Sequence, residues 1–200
     1  MITLCMDTSS TYLVVAVIKD DEVIGKIQKE CWKRQSELLF PELLNLLEEL
    51  ELKADDIDEV VITEGPGSYT GVRIAMTVAK VFASMKNKPL ATLSTLQLIA
   101  GMTPHCRVIL DAHGKRVYTG VYENGTLVGD MQVLPIDELM EDLNEDEVII
   151  GDGHLVGRND NMPDLAENFL ALKKKWNYQE NVHTVKPEYL KTSESYLPKK

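Results

Sequence analysis

The residues best placed to do chemistry lie in two short runs. Asp7-Thr8-Ser9-Ser10-Thr11 sets one carboxylate and four hydroxyls between two apolar stretches. That composition suits a turn that cradles a phosphate and its metal, and equally an ordinary hairpin turn whose side chains bond their own backbone. Gly65-Pro66-Gly67-Ser68-Tyr69-Thr70-Gly71 is the more specific run. Its glycines permit positive φ and close backbone approach, and it feeds a helix whose first amides can hold an anion. It lacks the Gly-Lys-Ser/Thr ending of a P-loop and the spacing of a G-x-S-x-G nucleophile elbow, so a rigid strand-to-helix turn stays open beside the anion reading. Asp7, Thr8, Ser9, Gly65, Gly67 and Ser68 are the candidate nucleotide or phosphate ligands. Asp111 takes the place of Asp7 in the second half, but Asp111-Ala112-His113-Gly114 holds a single glycine, so a paired phosphate loop is degraded there.

Other catalytic arrangements find little support, and neither a catalytic nor a metal-ligating residue is assigned. His105, His113, His154 and His183 show no i, i+4 pairing and no spacing to a cysteine pair that would suggest zinc or iron. Cys5, Cys31 and Cys106 are widely spaced, two of them in apolar or aromatic surroundings, and read as buried free thiols rather than disulfides or a metal site.

The elements that must position these runs follow from the apolar periodicity. Met1 to Met6 and Tyr12 to Ile18 read as a strand pair, and Val23 to Lys29 as a third strand in meander. Leu38, Leu39, Leu43, Leu46, Leu47 and Leu50 then fall at helical spacing. Ser36 is the expected N-cap, with the regular part starting nearer Phe40 because Pro41 is tolerated in a first turn. A strand at Glu59 to Thr63, a helix from Tyr69 to Met85, a strand at Leu90 to Leu93 and a helix at Ser94 to Ala100 complete the first half. Gly71, Ala75, Ala79 and Ala83 recur every four residues, leaving one stripe of the second helix nearly bare of side chain. A bare stripe lets another helix approach closely, and burial against the protein's own sheet explains it as well.

The same order of elements recurs from Arg107 to Gly151, predicting two related subdomains, 1–102 and 103–200. The second is abbreviated, with a helix at Asp164 to Lys175 and a loosely structured tail that folds back over the first. The expected class is α/β with mixed sheets covered by helices.

With 200 residues and 44% hydrophobic content the chain can bury a sizeable core. No apolar run approaches the roughly 18 residues of a membrane span, and a cytoplasmic location is expected. The formal charge of −11 opposes direct nucleic-acid binding by this chain alone. Residues 161–200 reverse the sign, with seven bases against five acids. Lys173, Lys174, Lys175, Lys199 and Lys200 are either a solvated face or a contact for an anionic partner.

In order along the chain, Asp7-Thr8-Ser9, Gln35-Ser36-Glu37-Leu38-Leu39-Phe40-Pro41, Gly65 to Ala75, Leu93-Ser94-Thr95-Leu96, Asp111 to Tyr122, Gly151-Asp152-Gly153 and Pro187-Glu188-Tyr189-Leu190-Lys191 resemble the TsaB (YeaZ) family over essentially the whole sequence. The resemblance implies an actin/Hsp70/sugar-kinase-like (ASKHA) fold. It also implies a non-catalytic role in making N6-threonylcarbamoyladenosine on tRNAs that read codons beginning with A. The implied partners are a TsaD-like catalytic paralogue, a TsaE-like ATPase and, when alone, a second copy in a homodimer; tRNA is met only through the complex. No cofactor is expected on the chain itself, with ATP possible in the complex. TsaD-like proteins hold their metal with an H-x-x-x-H pair that this chain lacks, and Gln35 stands where relatives often show histidine.

The resemblance further implies pairing through the two long helices, which assigns Leu39, Leu43, Leu46, Leu47, Gly71, Ala75, Ala79 and Ala83 to the partner interface. On that assignment Ala79→Arg or Ala75→Leu leaves folding cooperative and abolishes pairing. The alternative is a free-standing ATP-dependent kinase or a glycoprotease-type peptidase of the same fold.

Overall fold

The computed structural model describes residues 1–31 and 33–190; Lys191, Lys199 and Lys200 lie outside them. Strands β1 (Ile2–Asp7), β2 (Tyr12–Lys19) and β3 (Glu22–Glu30) form the meander, followed by helix α1 (Gln35–Glu49), β4 (Glu59–Thr63), α2 (Tyr69–Lys86), β5 (Leu90–Leu93) and α3 (Thr95–Ala100). The second half repeats the scheme with β6 (Cys106–Asp111), β7 (Arg116–Glu123), β8 (Thr126–Pro135), α4 (Ile136–Asp142) and β9 (Ile149–Gly151). Helix α5 (Leu165–Ala171) and β10 (Asn177–Tyr178) close the described chain.

The first sheet runs β10-β5-β4-β1-β2-β3 and the second β8-β7-β6-β9. In each, the first strand pairs antiparallel with the second and parallel with the strand after the helix. Two copies of one topology, with the second cut short, make the actin/Hsp70/sugar-kinase-like fold. The equivalent strands β1 and β6 end in Asp7, opposite Val14, and Asp111, opposite Val117.

Alternation along β1 and β2 sends side chains to two cores. Leu4, Met6, Leu13 and Val15 face α1 and α2, while Cys5, Val14, Ala16 and Ile18 face α3, α5 and the second sheet. The latter core continues through Leu96, Leu110, Phe169 and Trp176, so the two halves share an interior. All three cysteines are buried and free. Among the described residues no helix is long and apolar enough to cross a membrane.

Three local expectations change. Helix α1 starts at Gln35 with Arg34 at its N-cap, so Pro41 lies inside the helix. Its start is pinned because buried Gln35 donates from Nε2 to the Ser10 carbonyl at 2.9 Å. Pro41 is exposed, as is Glu37, whose carbonyl loses its amide donor to the ring. Helix α5 ends at Ala171 and gives way to a 3₁₀ turn at Lys173–Lys175. The described chain after α5 is held rather than loose. Trp176 Nε1 donates to the Phe169 carbonyl at 3.1 Å, β10 pairs with β5, and Gln179 N donates to the Leu90 carbonyl at 2.9 Å.

The helix-pairing assignment requires a correction. Leu39, Leu43, Leu46, Leu47, Gly71, Ala75, Ala79 and Ala83 are all buried in this chain's own core, where α1 and α2 pack against the first sheet. The bare stripe on α2 lets the helix settle onto its own sheet. The stripe offset by two residues, about 200° round the helix, is the exposed one: Tyr69, Arg73, Thr77, Val81 and Met85.

Candidate functional site

The two chemically suggestive runs meet, and they meet backbone to backbone. Ser68 N donates to the Ser9 carbonyl at 2.7 Å. Thr8 Oγ1 donates to the Gly71 carbonyl at 2.6 Å and accepts from Ala75 N at 3.1 Å, so it stands between two groups that a regular helix joins directly. A Cβ on Gly67 would lie 2.4 Å from the Ser9 carbonyl oxygen, and one on Gly71 2.2 Å from that of Thr8. Glycine is needed at both positions for the hairpin turn to touch the helix start. Gly65 faces elsewhere: its φ is +112°, and its carbonyl accepts from Thr95 N at 2.7 Å.

Asp7 is buried, accepting from Ser9 N at 3.0 Å and from the Thr63 hydroxyl. Burial raises its carboxyl above the ordinary range, against the pull of these donors. Because the folded state favours the protonated acid, a charged Asp7 lowers stability as pH rises from its unfolded value through its folded one. Asp7→Asn keeps an acceptor for both donors and is expected to melt at or slightly above the wild-type temperature at pH 7. Asp7→Ala strands both donors and is expected to cost about 1–3 kcal/mol. Thermal melts of the two variants check the difference; equal losses would show that the acceptor is not what Asp7 contributes.

Between the halves lies a cleft of about 560 Å³, bounded by Ser9 to Thr11, Lys33, Gly67 to Gly71, Asp111 to His113, Tyr118 and Asp152. Of the candidate phosphate ligands, Ser9, Gly67 and Ser68 line it; Asp7, Thr8 and Gly65 do not. The wall opposite Ser9 is acidic. Asp152 Oδ2 accepts from Asp111 N at 2.7 Å, and Asp111 Oδ2 pairs with His113 Nδ1 at 2.8 Å. Burial raises the Asp152 carboxyl, partly offset by that amide. The hydroxyls of Thr8 and Ser9 are engaged with the chain itself, Ser9 Oγ by Thr95 Oγ1 at 3.0 Å. The arrangement therefore works as a clasp joining turn, helix and second half, to which Tyr118 adds a hydrogen bond from its hydroxyl to the Gly67 carbonyl at 3.4 Å. Among the described residues no group of three or more His, Cys, Asp or Glu is arranged to hold a metal ion.

Lys173 donates to the Asp20 carbonyl at 2.6 Å and pairs with Asp21 at 3.0 Å, and Lys175 donates to Thr126 at 2.7 Å. These two lysines tie the end of α5 to both halves.

The outer side of α1 and α2 is different in character. A groove of about 410 Å³ runs between them, lined by Phe40, Tyr69, Arg73, Ile74, Thr77 and Val78 among others. Phe40 is 55% exposed, Leu44 62%, Val81 52% and Met85 78%. Large apolar side chains left this open on adjoining helices form a patch of the kind that marks an interaction face. The signal was present in the sequence as a second apolar i, i+4 pair on α1, Phe40 and Leu44, out of phase with the leucines that enter the core.

Comparisons with known proteins converge. The family model for TsaD, tRNA N6-adenosine threonylcarbamoyltransferase, matches residues 22–152. The tRNA threonylcarbamoyladenosine biosynthesis protein TsaB of Bacillus subtilis is 34% identical over 77% of this chain and 71% of its own length. The TsaB protein of Buchnera aphidicola from Schizaphis graminum is 28% identical over 76% and 79%. A crystal structure from Pseudomonas aeruginosa, of an uncharacterized protein similar to peptidase YeaZ, superposes with a TM-score of 0.79 at 22% identity, covering 95% of this chain and 99% of the other. That likeness concerns the fold.

Proposed function

The chain belongs to the TsaB (YeaZ) family, within the wider TsaD family, and from that premise we propose that it is the non-catalytic subunit that pairs with a TsaD-type enzyme. The product of that enzyme is N6-threonylcarbamoyladenosine on tRNAs reading codons that begin with A. The observation that carries this reading is the exposed apolar groove between α1 and α2, walled by Phe40, Tyr69 and Arg73. Charge supports a partner of the same fold. Helix α1 carries four glutamates and no base, while α2 carries Arg73, Lys80 and Lys86 and no acid. An axis that lays α1 of one chain along α2 of its partner would set an acidic helix against a basic one, with Arg73 the α2 base that lines the groove.

The inward commitment of the Asp7 turn favours pairing over the kinase or peptidase alternative, because Thr8 and Ser9 already bond within the chain. The TsaE-like ATPase, any nucleotide and the tRNA engage the assembled complex. Sedimentation of the purified chain with the TsaD-type paralogue of the same organism tests the reading. A single heavier species at equimolar mixing is expected, and two independent species would overturn it.

A further inference from the structure

The chain after β10 does more than cover α2. Lys80 Nζ donates to the carbonyls of His183 at 3.0 Å and Val185 at 2.9 Å, while the Val185 side chain is buried in the core beneath α1 and α2. Further on, Glu188 N donates to the Glu64 carbonyl at 2.6 Å. The Glu188 carbonyl lies 2.6 Å from where a Cβ on Gly65 would be, so only glycine admits the strap there. These anchors deliver Tyr189 to the first turn of α2. Its ring stacks on Tyr69 with centroids 5.2 Å apart and planes inclined by 23°. The Arg73 guanidinium sits 5.5 Å from the Tyr69 ring centroid on the same turn, and Arg73 Nη1 donates to the Tyr69 hydroxyl at 3.3 Å.

We infer that residues 182–190 form a strap that builds one wall of the pairing surface, and that Tyr69, Arg73 and Tyr189 together are its anchor for the TsaD-type partner. The inference rests on the pairing reading and adds to it the part played by the chain after β10. Tyr69 and Arg73 line the groove between α1 and α2, so the cluster is continuous with it. Tyrosine and arginine are the side chains that most often dominate binding energy, because they combine large apolar area with a polar tip or a fork of donors. Such residues bind best when held in place beforehand, and the Tyr189 ring and the Arg73 guanidinium both bear on Tyr69. Lys80, Val185 and Glu188 do not line the groove; Tyr189 adjoins it through the Tyr69 ring on which it stacks.

Affinity for the purified paralogue, measured with the full chain, decides. Tyr189→Ala is expected to weaken binding roughly tenfold or more, with far-UV dichroism and melting temperature unchanged. Tyr189→Phe, which keeps the ring but removes the hydroxyl that bonds Arg73, is expected to bind more tightly than Tyr189→Ala and less tightly than wild type. A Phe40→Glu/Leu44→Glu double variant serves as the control for the exposed face of α1, on which Phe40 lines the groove. If Tyr189→Ala binds like wild type while the double variant does not, the strap is no part of the interface and the inference fails alone. If the double variant also binds like wild type, the groove is not the interface and the inference fails with it; if the wild-type chain does not bind the paralogue at all, the pairing reading itself fails. Should Tyr189→Ala not fold, hydrogen exchange on the wild-type chain gives the answer. Amides of residues 186–190 gain protection when the paralogue is added if the strap is in the interface, and unchanged exchange there overturns the inference.

Discussion

Ala79→Arg is expected to unfold the protein or leave it on the edge of unfolding, with loss of pairing following from loss of fold. Ala79 is fully buried, and α2 packs there on β4 in the core beneath the first sheet. Forcing a longer side chain into such a site costs about 1–3 kcal/mol in displaced neighbours. An unpaired guanidinium there adds a desolvation penalty of several kcal/mol. Against a total stability of roughly 5–15 kcal/mol, the sum removes most or all of it. Ala75→Leu adds bulk without charge and is expected to lower stability by about 1–3 kcal/mol while unfolding stays cooperative. Urea titration followed by circular dichroism measures both. A cooperative, wild-type-like Ala79→Arg chain that merely fails to pair would put the bare stripe at the surface after all.

The Phe40→Glu/Leu44→Glu double variant should behave in the opposite way. Both side chains are more than half exposed, so the fold has little to lose. A partner that buries them gains about 1.5–3 kcal/mol from each, which the glutamates forfeit, and two carboxylates must then be desolvated. A loss of about 4 kcal/mol corresponds to roughly a 10³-fold weaker complex. Isothermal titration with the paralogue reads this directly, and wild-type affinity would remove the groove from the interface. The variants separate the inward face of α2 from the outward face of α1, the first needed for folding and the second, on the proposed role, for partnership.

The contrast between those faces also marks where sequence pattern stops being informative. Strand and helix order is legible because β1, β2 and β4 are strongly apolar and the α1 leucines keep a helical period. The repeat is legible because Asp7 and Asp111 end equivalent strands. Which face of α2 looks outward is not. Gly71, Ala75, Ala79 and Ala83 satisfy the geometry of a close helix–helix contact and of a helix lying on a sheet alike, and only the position of β4 distinguishes them. The clasp between Thr8 and Gly71 is likewise hidden, since residues 63 positions apart must meet before their shared hydrogen bond means anything. The part played by Tyr189 depends on the path of the strap over Gly65, which no local pattern encodes.

The proposed role makes this chain a required partner. Its most direct test is a drop-out reconstitution with tRNA, threonine, bicarbonate, ATP and the purified TsaD-type and TsaE-type proteins, scored by mass spectrometry of the nucleosides. N6-threonylcarbamoyladenosine is predicted to form with the wild-type chain and with Asp7→Asn, and to be lost without the chain or with Phe40→Glu/Leu44→Glu. Equal modification in the absence of the chain would rule that role out.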